Sequence, residues 1–495
     1  MRRERGHGGL PRLHGLRRGV PHRRHQGRRG IAAVQIPRLV ISAPHGRSGK
    51  TTVAIGLASA FARRGLRVQP FKKGPDYIDP SWLGEAAGRP CRNLDLFLMD
   101  ADSVLERVAC ACQSADLALI EGAHGLYDGL DGEGANSTAR LAVTLQTPVV
   151  LIVDATRMTQ SVAALVQGFR DFDPRVRLAG VIANQVSSPR HRAKLADALA
   201  RHTGIPLLGA LPRDPSLSIP DRHLGLVPRD ENEQLLPVVE RVRAAVEASV
   251  DLDALLGLAR SAPALPVGPH CPSPMPRAHV RLGIARDRAF TFYYMENLEA
   301  LRAAGAELVC LDTLKDRALP DVDGLYLGGG FPEMFLEELE VNEALRADIR
   351  AAIGEGLPVY AECAGLMYLA RRIAWRGRSA AMVGALPCDV EVTERPQGHG
   401  YVRARVTGAN PCFPVGTELR GHEFHYSRVV NLGPARFAYR LERGRGVADG
   451  RDGLVVGNVL AAYTHLHAAG TAGWAESLVA QARAHQAARP AREAR

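Results

Sequence analysis

Between Ser261 and Pro276 the chain carries six prolines, at 263, 266, 269, 272, 274 and 276, and no hydrophobic period. Proline fixes φ and lacks a backbone donor, so neither a helix nor a central strand runs through such a stretch. The segment reads as an extended linker, and it divides the 495 residues into two parts of domain size. On its N-terminal side, residues 38–42, 66–71, 117–120, 149–153 and 178–183 read as buried strands. On the other side, so do residues 280–285, 307–311, 324–327, 359–362 and 454–460. Helices are predicted over 50–64, closed by Gly65, and over 294–304, closed by Gly305. Short apolar strands alternating with helices build a mostly parallel sheet covered on both faces, so each part is expected to be α/β. The expected division is a basic disordered tail at 1–35, a first domain at 36–250, a linker at 251–279, a second domain at 280–480 and a fraying tail at 481–495.

The formal charge of +11 invites a nucleic-acid reading, but its distribution weakens it. Ten arginines and one glutamate within residues 1–30 account for +9 and leave +2 for the other 465 residues. The basicity therefore belongs to one tail and not to a binding face. That tail has no apolar core segment of the kind a secretory signal needs, and no run approaches the ~18 apolar residues of a membrane span. The eight cysteines form no CxxC pair, so neither a zinc site nor a disulfide framework is expected, and the cytoplasm is the default location.

Ala43-Pro-His-Gly-Arg-Ser-Gly-Lys-Thr-Thr52 lies between the first strand and the first helix. In a phosphate-binding loop, backbone N–H groups and the helix N-terminus surround the phosphates, a lysine reaches the β and γ oxygens, and a hydroxyl ligates Mg²⁺. Lys50 and Thr51 fit those places, with Gly46, Gly49 and Thr52 completing the candidate ATP site. The motif is a variant, because Pro44 stands where the first glycine of GxxxxGK[ST] falls. Acids follow the predicted strand ends: Asp76 and Asp79 in Gly74-Pro-Asp-Tyr-Ile-Asp-Pro80, then Glu121, then Asp128. Carboxylates at the C-terminal ends of parallel strands face the ligand crevice. Mg²⁺ takes a few carboxylates together with phosphate oxygens, so Asp76, Glu121 and Asp128 join Thr51 as candidate ligands. A helix cap or a solvated loop acid is the competing account of each. Asn184 is a candidate for contacting the base, or a turn-forming asparagine.

Pro358-Val-Tyr-Ala-Glu-Cys-Ala-Gly-Leu-Met-Tyr-Leu369 is an apolar strand, a cysteine, two small residues and a helical stretch. That pattern makes a nucleophile elbow, with Cys363 exposed at a tight turn and its thiolate favoured by the helix N-terminus. Gly328-Gly-Gly-Phe-Pro-Glu333 follows a strand, and the N–H groups of Gly329 and Gly330 with that of Ala364 could form an oxyanion hole. Ala462-Tyr-Thr-His-Leu-His467 offers a base, but His465 and His467 are two apart and spacing alone does not choose between them.

Together these motifs resemble the cobyrinate a,c-diamide synthase family of corrinoid biosynthesis. Phe71-Lys-Lys-Gly-Pro-Asp-Tyr-Ile-Asp-Pro80, Glu121-Gly, Gly-Leu-Tyr-Asp-Gly129 and Val153-Asp-Ala155 look like its synthetase half. Leu325-Tyr-Leu-Gly-Gly-Gly-Phe-Pro-Glu333, Ala361-Glu-Cys-Ala-Gly-Leu-Met-Tyr368 and Gly421-His-Glu-Phe-His-Tyr-Ser427 look like its glutaminase half. The resemblance spans about residues 37–480. It implies a dethiobiotin-synthetase-like, P-loop-related domain joined to a class I-like glutamine amidotransferase domain. It further implies Cys363 as nucleophile and His465, in the Tyr-x-His position, as base. Because His467 stands where a His-x-Glu glutamate would be, the resemblance suggests a Cys–His dyad with no orienting glutamate at that place. Asp76, Glu121 and Asp128 are assigned to the Mg²⁺–nucleotide and acyl-phosphate site, with Asp76 and Asp79 on the substrate side. His45, Ala361 and the Gln185 of Asn184-Gln-Val are departures from the family pattern.

The implied reaction is ATP- and glutamine-dependent amidation of the a and c acetate carboxylates of cobyrinate, through an acyl phosphate and glutamine-derived ammonia. Amidation of hydrogenobyrinate or of a sirohaem-type tetrapyrrole, and a P-loop ATPase switch with a regulatory domain, are the alternatives. Expected partners are a tetrapyrrole polycarboxylate, glutamine and ATP, with neither nucleic acid nor membrane; a homodimer is left open.

Overall fold

The computed structural model describes residues 33–219, 236–266 and 278–489, together with the backbone of two short strands, β8 (Asp221–Arg222) and β9 (Gly225–Leu226). Residues 1–32 and the prolines at 269, 272, 274 and 276 lie outside it.

The first domain is a seven-stranded parallel sheet. In chain order it runs β1 (Arg38–Ser42), α1 (Lys50–Arg63), β2 (Val68–Lys73), α2 (Ile78–Ala87), β3 (Arg92–Leu94), α3 (Ala101–Ala111), β4 (Leu117–Glu121) and α4 (Thr138–Thr144). It continues through β5 (Val149–Asp154), α5 (Ser161–Phe172), β6 (Leu178–Val186), α6 (Pro189–His202) and β7 (Leu207–Pro212). After β8 and β9 come α7 (Leu236–Ser249) and α8 (Leu252–Arg260). The strand order is β3-β2-β4-β1-β5-β6-β7. Side chains of a strand point alternately to opposite faces, and here both faces are buried. Val40, Ala118, Ile120 and Leu151 enter one core layer, while Leu39, Ile41, Leu119 and Ile152 enter the other. That is why these strands read as continuous apolar runs. The order reverses beside β1, and the loop leaving β1 opens on the crevice at that reversal.

The second domain contains β10 (Val280–Ala285), α9 (Met295–Ala303), β11 (Ala306–Leu311), β12 (Gly324–Leu327), α10 (Leu336–Val341), α11 (Glu343–Gly354), β13 (Val359–Glu362) and α12 (Ala364–Leu369). The short strands β14 (Arg372–Trp375), β15 (Arg378–Ala381) and β16 (Asp389–Val392) follow. Then come β17 (Gly398–Val406), β18 (Glu418–His425), β19 (Ser427–Val430), β20 (Arg436–Arg443), β21 (Arg451–Val456), β22 (Val459–Ala462), β23 (His465–Leu466) and α13 (Trp474–Ala488). Ten of the strands form one sheet, β11-β10-β12-β13-β22-β21-β20-β17-β18-β23. It is parallel as far as β22 and antiparallel beyond. β15-β14-β16-β19 form a small separate sheet.

Four expectations need correction. Residues 454–460 are not one strand: β21 and β22 form a hairpin turned at Gly457, whose φ is 54°. An apolar run hides such a turn, because its two arms share one hydrophobic composition. The linker does not begin at 251, since α8 buries Leu255 and Ala259 in the first domain. The first proline of the linker is also held, its carbonyl accepting from the buried Arg38 guanidinium at 2.6 Å. At the other end, α13 runs through 480 without fraying: Ala482 is fully buried and Gln486 donates to Asp323. Finally, the boundary at 35 cuts an element, because Val34 pairs with Leu265 through N–H···O bonds of 3.1 and 2.9 Å.

That pairing leads to a stability prediction. Truncations ending at Gly30 and at Gln35 should differ, the second melting several degrees lower. Two backbone bonds at about 1 kcal/mol each are lost only in the second. Equal melting temperatures would show that the Val34 bridge contributes nothing.

The domains meet through side chains of strands, loops and helix α9 on facing sides. Tyr401 donates to Asp95 and accepts from Asn136 at 2.8 Å. Arg92 makes a two-bonded ion pair with Glu299 at 2.6 and 2.8 Å. Tyr77, from the loop after β2, stacks on Phe292 with ring centroids 5.1 Å apart and planes within 7°.

Candidate active sites

The loop leaving β1 turns into α1 through Gly49, whose φ of 91° lies in the region that favours glycine. Asn184, at the end of β6, packs against it: a Cβ on Gly49 would meet the Asn184 Nδ2 at 2.2 Å. The Asn184 amide donates to the Ser48 carbonyl at 3.1 Å, so here the side chain braces the loop. Lys50 begins α1 and folds back on the His45 carbonyl at 3.3 Å. Burial, then the nearby Lys72, lower its pKa to about 8. Gly46 has open space around it, and Thr52 sits half-buried in the first turn of α1.

Thr51 Oγ1 donates to Glu121 at 2.6 Å and reaches Asp79 at 3.3 Å. Lys72 comes up between the same acids, bonded to Asp79, 3.0 Å from Glu121 and 3.8 Å from Asp76. Burial alone would strip the Lys72 charge, but Asp79 and Glu121 outweigh it and hold the ammonium well above its ordinary range. Burial likewise raises Glu121, with Lys72 opposing. Asp76 is pushed up to about 7 by desolvation and then by Asp79. The Asp76 carboxylate also accepts from the N–H groups of Ile78 and Asp79 at 2.9 and 3.1 Å, so it caps α2 while facing the crevice. Asp128 accepts from Gly125 at 2.9 Å, and its loop is tied to the phosphate loop by Leu126 N–H to Ala43 at 2.8 Å. The structure therefore brings Lys50, Thr51, Asp76, Asp79, Glu121 and Asp128 to one crevice. Lys72 was missed because the strand was read as ending at Phe71, which leaves the two lysines after it as loop residues. Its signal is that β2 extends to Lys73, two residues beyond the expected end.

The second site is built on β13 and α12. Cys363 joins them at φ 49°, ψ −98°, a strained elbow. Its N–H is bonded to Ala462 at 2.8 Å. Gly365 must be glycine, because a Cβ there would lie 2.3 Å from the Leu327 carbonyl. The expected thiolate-favouring environment is absent from this state. Burial, then Glu333, push the thiol pKa up, and the Ala364 N–H opposes them only in part. The physical reason is that α12 has six residues, too short for a large dipole to offset complete desolvation.

The Gly328–Gly330 loop crosses the elbow, with Gly328 accepting from Gly365 at 2.9 Å. A Cβ on Gly329 would sit 2.7 Å from His465 Cε1, so histidine and loop are in contact. The Gly329 N–H is spent on the Phe292 carbonyl at 3.3 Å, which leaves Gly330 and Ala364 as the remaining expected oxyanion donors. The two histidines occupy different surroundings. His467 Nε2 faces Glu296 at 3.7 Å and its ring packs tilted against Tyr294, whereas His465 lies by the glycine loop and stacks on His422 at 4.9 Å.

Tyr77 joins the sites. It stands between Asp76 and Asp79 in the chain, and its ring lies 5.4 Å from that of His465. No spacing rule could place a first-domain tyrosine on a second-domain histidine.

Residues 39–227 match the CobQ/CobB/MinD/ParA nucleotide binding domain, and residues 281–473 match the CobB/CobQ-like glutamine amidotransferase domain. A cobyrinate a,c-diamide synthase of Magnetococcus marinus is 47% identical over 90% of this chain and 97% of that protein. The Methanosarcina acetivorans protein of the same name is 42% identical over 94% of this chain and 100% of its own. That of Archaeoglobus fulgidus is 42% identical over 88% and 95%. The chain belongs to the cobyrinate a,c-diamide synthase family. Family membership accounts for both halves and their order, and the two α/β domains agree with it. No helix among the described residues is long and apolar enough to cross a membrane.

Two further buried acids organise the glutaminase half of this family member. Asp452 accepts from the N–H groups of Tyr463 and Thr464 at 3.0 and 2.9 Å and from the Thr464 hydroxyl at 2.6 Å, which fixes the approach to His465. Glu362, beside the cysteine, accepts from the Leu466 N–H at 3.0 Å. Neither stands in a spacing that sequence reasoning recognises.

Proposed function

We propose that the protein amidates the a and c acetate carboxylates of cobyrinate, using ATP to activate each carboxylate and glutamine to supply ammonia. The observation that carries the reading is the junction at Tyr77, which stands between Asp76 and Asp79 in the chain and packs its ring 5.4 Å from that of His465. A phosphate loop, a glutaminase elbow and near-full-length relatives named for this reaction support it. The hydrogenobyrinate and sirohaem alternatives have no such support, and a bare ATPase switch has no use for a glutaminase domain.

A carboxylate is a poor acyl donor because its leaving group would be oxide. In the proposed reaction a substrate carboxylate oxygen attacks the γ-phosphorus of ATP, an O–P bond forms, and ADP leaves. Lys50 and Lys72 offset the charge on the transferring group. Asp76 and Asp79 border the place where the acyl group forms. The residues also suit Mg²⁺. Thr51 and Glu121 supply hard oxygens, and Glu121 Oε2 is buried with no hydrogen-bond partner. Asp76 and Asp128 stand beside them. Among the described residues no cluster of three or more His, Cys, Asp or Glu forms a cage by itself, so nucleotide phosphates would complete the shell. When bound, Mg²⁺ would neutralise the β and γ oxygens.

At the elbow, the proposed nucleophile Cys363 gives its proton to the base His465. The sulfur bonds the glutamine amide carbon, and the oxyanion is held by N–H donors at Gly330 and Ala364. The C–N bond breaks as His465 returns the proton to the leaving ammonia. Water then hydrolyses the thioester to glutamate. Ammonia attacks the acyl phosphate, a C–N bond forms and phosphate leaves.

Mass spectrometry of cobyrinate, hydrogenobyrinate and a sirohaem-type tetrapyrrole, each incubated with enzyme, glutamine, ATP and Mg²⁺, tests the reading. Two carboxylate-to-amide conversions are expected on cobyrinate. No conversion on cobyrinate with conversion on another ring would move the substrate assignment.

A further inference from the structure

Glu362 is the residue immediately before Cys363, and its carboxylate is almost wholly buried. Three donors hold it: Tyr326 OH at 2.9 Å, Tyr360 OH at 3.0 Å and the Leu466 N–H at 3.0 Å. Held in that way, its Oε2 lies 3.6 Å from His465 Nδ1. His465 Nδ1 is itself buried and has no hydrogen-bond partner. Leaving a buried ring nitrogen without a partner is costly, and among the described residues the carboxylate facing it, Glu362, is a few tenths of an ångström beyond hydrogen-bond length. Catalytic hydrogen bonds are often long before substrate binds and tighten in the reacting complex.

We infer that Glu362 is the positioning carboxylate of the glutaminase, completing a Cys363–His465–Glu362 triad in which acid and nucleophile are chain neighbours. This rests on the proposed roles of Cys363 and His465. Glu362 accepts from His465 Nδ1–H, which leaves the Nε2 lone pair free to take the thiol proton. It also stabilises the imidazolium that forms, and it keeps its own charge without taking the proton. The adjacency is workable because the elbow backbone at Cys363 leaves the strand conformation. Glu362 thereby keeps the direction of β13, toward the Tyr326 and Tyr360 hydroxyls, while the sulfur is redirected at the turn. The carboxylate thus fills the role left open at His467, which is turned to Glu296 instead.

The test compares wild type, Cys363→Ala and Glu362→Gln for glutamine hydrolysis, with thermal melting as the folding control. Glutamine amide is nearly isosteric with the carboxylate and can still meet both tyrosine hydroxyls, so the fold should persist. The expected result is a fall in glutaminase kcat of about 100-fold or more, with KM for glutamine little changed. Alkylation of Cys363 by iodoacetamide, followed by peptide mass spectrometry, should slow in parallel, because less thiolate–imidazolium pair forms. A merely structural carboxylate would leave the alkylation rate alone. A folded Glu362→Gln variant with near-wild-type kcat and alkylation would overturn the inference. A wild type without glutaminase activity would instead sink the glutaminase reading itself. If Glu362→Gln melts out, ¹⁵N–¹H correlation spectra of the unmutated enzyme decide, with His465 assigned by difference from His465→Ala. A proton on Nδ1 is expected, and a neutral ring protonated only on Nε2 would refute the triad.

Discussion

Cys363→Ala should abolish glutamine-dependent amidation, by at least about 10³-fold, and high ammonium should restore the product. No thioester can form without the sulfur, so no ammonia is released at the elbow. The crevice around Lys50 and Glu121 is untouched, so by the proposed mechanism the acyl phosphate should still form there. Ammonium solutions contain some free ammonia, which attacks it directly. Replacing a buried thiol by a methyl group removes little volume, so the melting temperature should barely move. His465→Ala should behave in the same way, whereas His467→Ala should spare more activity. The contacts explain the difference, since His465 lies on the Gly329 loop and His467 lies on Glu296. The measurement is tetrapyrrole amide formation with glutamine and with ammonium for all three variants. Full glutamine-dependent activity in Cys363→Ala would refute the site, and a His467 variant worse than the His465 variant would exchange their roles.

Lys50→Ala should have the second large effect and the opposite pattern. Amidation should fall on the order of 10²–10³-fold with either nitrogen source, because charge on the transferring phosphoryl group loses a fixed cation. Ammonium cannot rescue it, since the lost step precedes ammonia. Basal glutamine hydrolysis should remain measurable, because Cys363 and its surroundings belong to the other domain. Folding should survive: Lys50 makes a single bond of 3.3 Å to a loop carbonyl, and burial already lowers its pKa to about 8. Removing it relieves an unfavourable buried charge in the nucleotide-free state. Undiminished amidation in this variant would end the phosphate-loop assignment. The two variants together form a crossed test, one rescued by ammonium and the other not.

Much of this architecture was legible because parallel strands are buried on both faces. The strands Arg38–Ser42, Val280–Ala285, Gly324–Leu327 and Val359–Glu362 were each read at their observed bounds, since a strand with no solvent face is mostly apolar, with polar residues few and mainly at its ends. The phosphate loop and the cysteine elbow were legible for a related reason. Each is a local strand–turn–helix unit, and its glycines and its reactive residue lie within ten positions of one another. The antiparallel strands β17, β18 and β20 were not foreseen. Half-exposed strands alternate polar and apolar residues, and charges on their open face dilute the pattern.

What the sequence by itself determined, then, is local: two α/β domains, a phosphate loop, an elbow cysteine and a short choice of histidines. Tertiary structure decided which groups meet. Lys72 stands among Asp76, Asp79 and Glu121 because β2 pairs with β4. Glu362 holds the backbone of Leu466 across 104 residues because β13 lies beside β22 in register. Tyr77 reaches His465 because the strand ends of two separately folded sheets face each other. Periodicity records which face of an element is buried; it carries no record of which distant element covers that face, and the chemistry of both sites depends on that pairing.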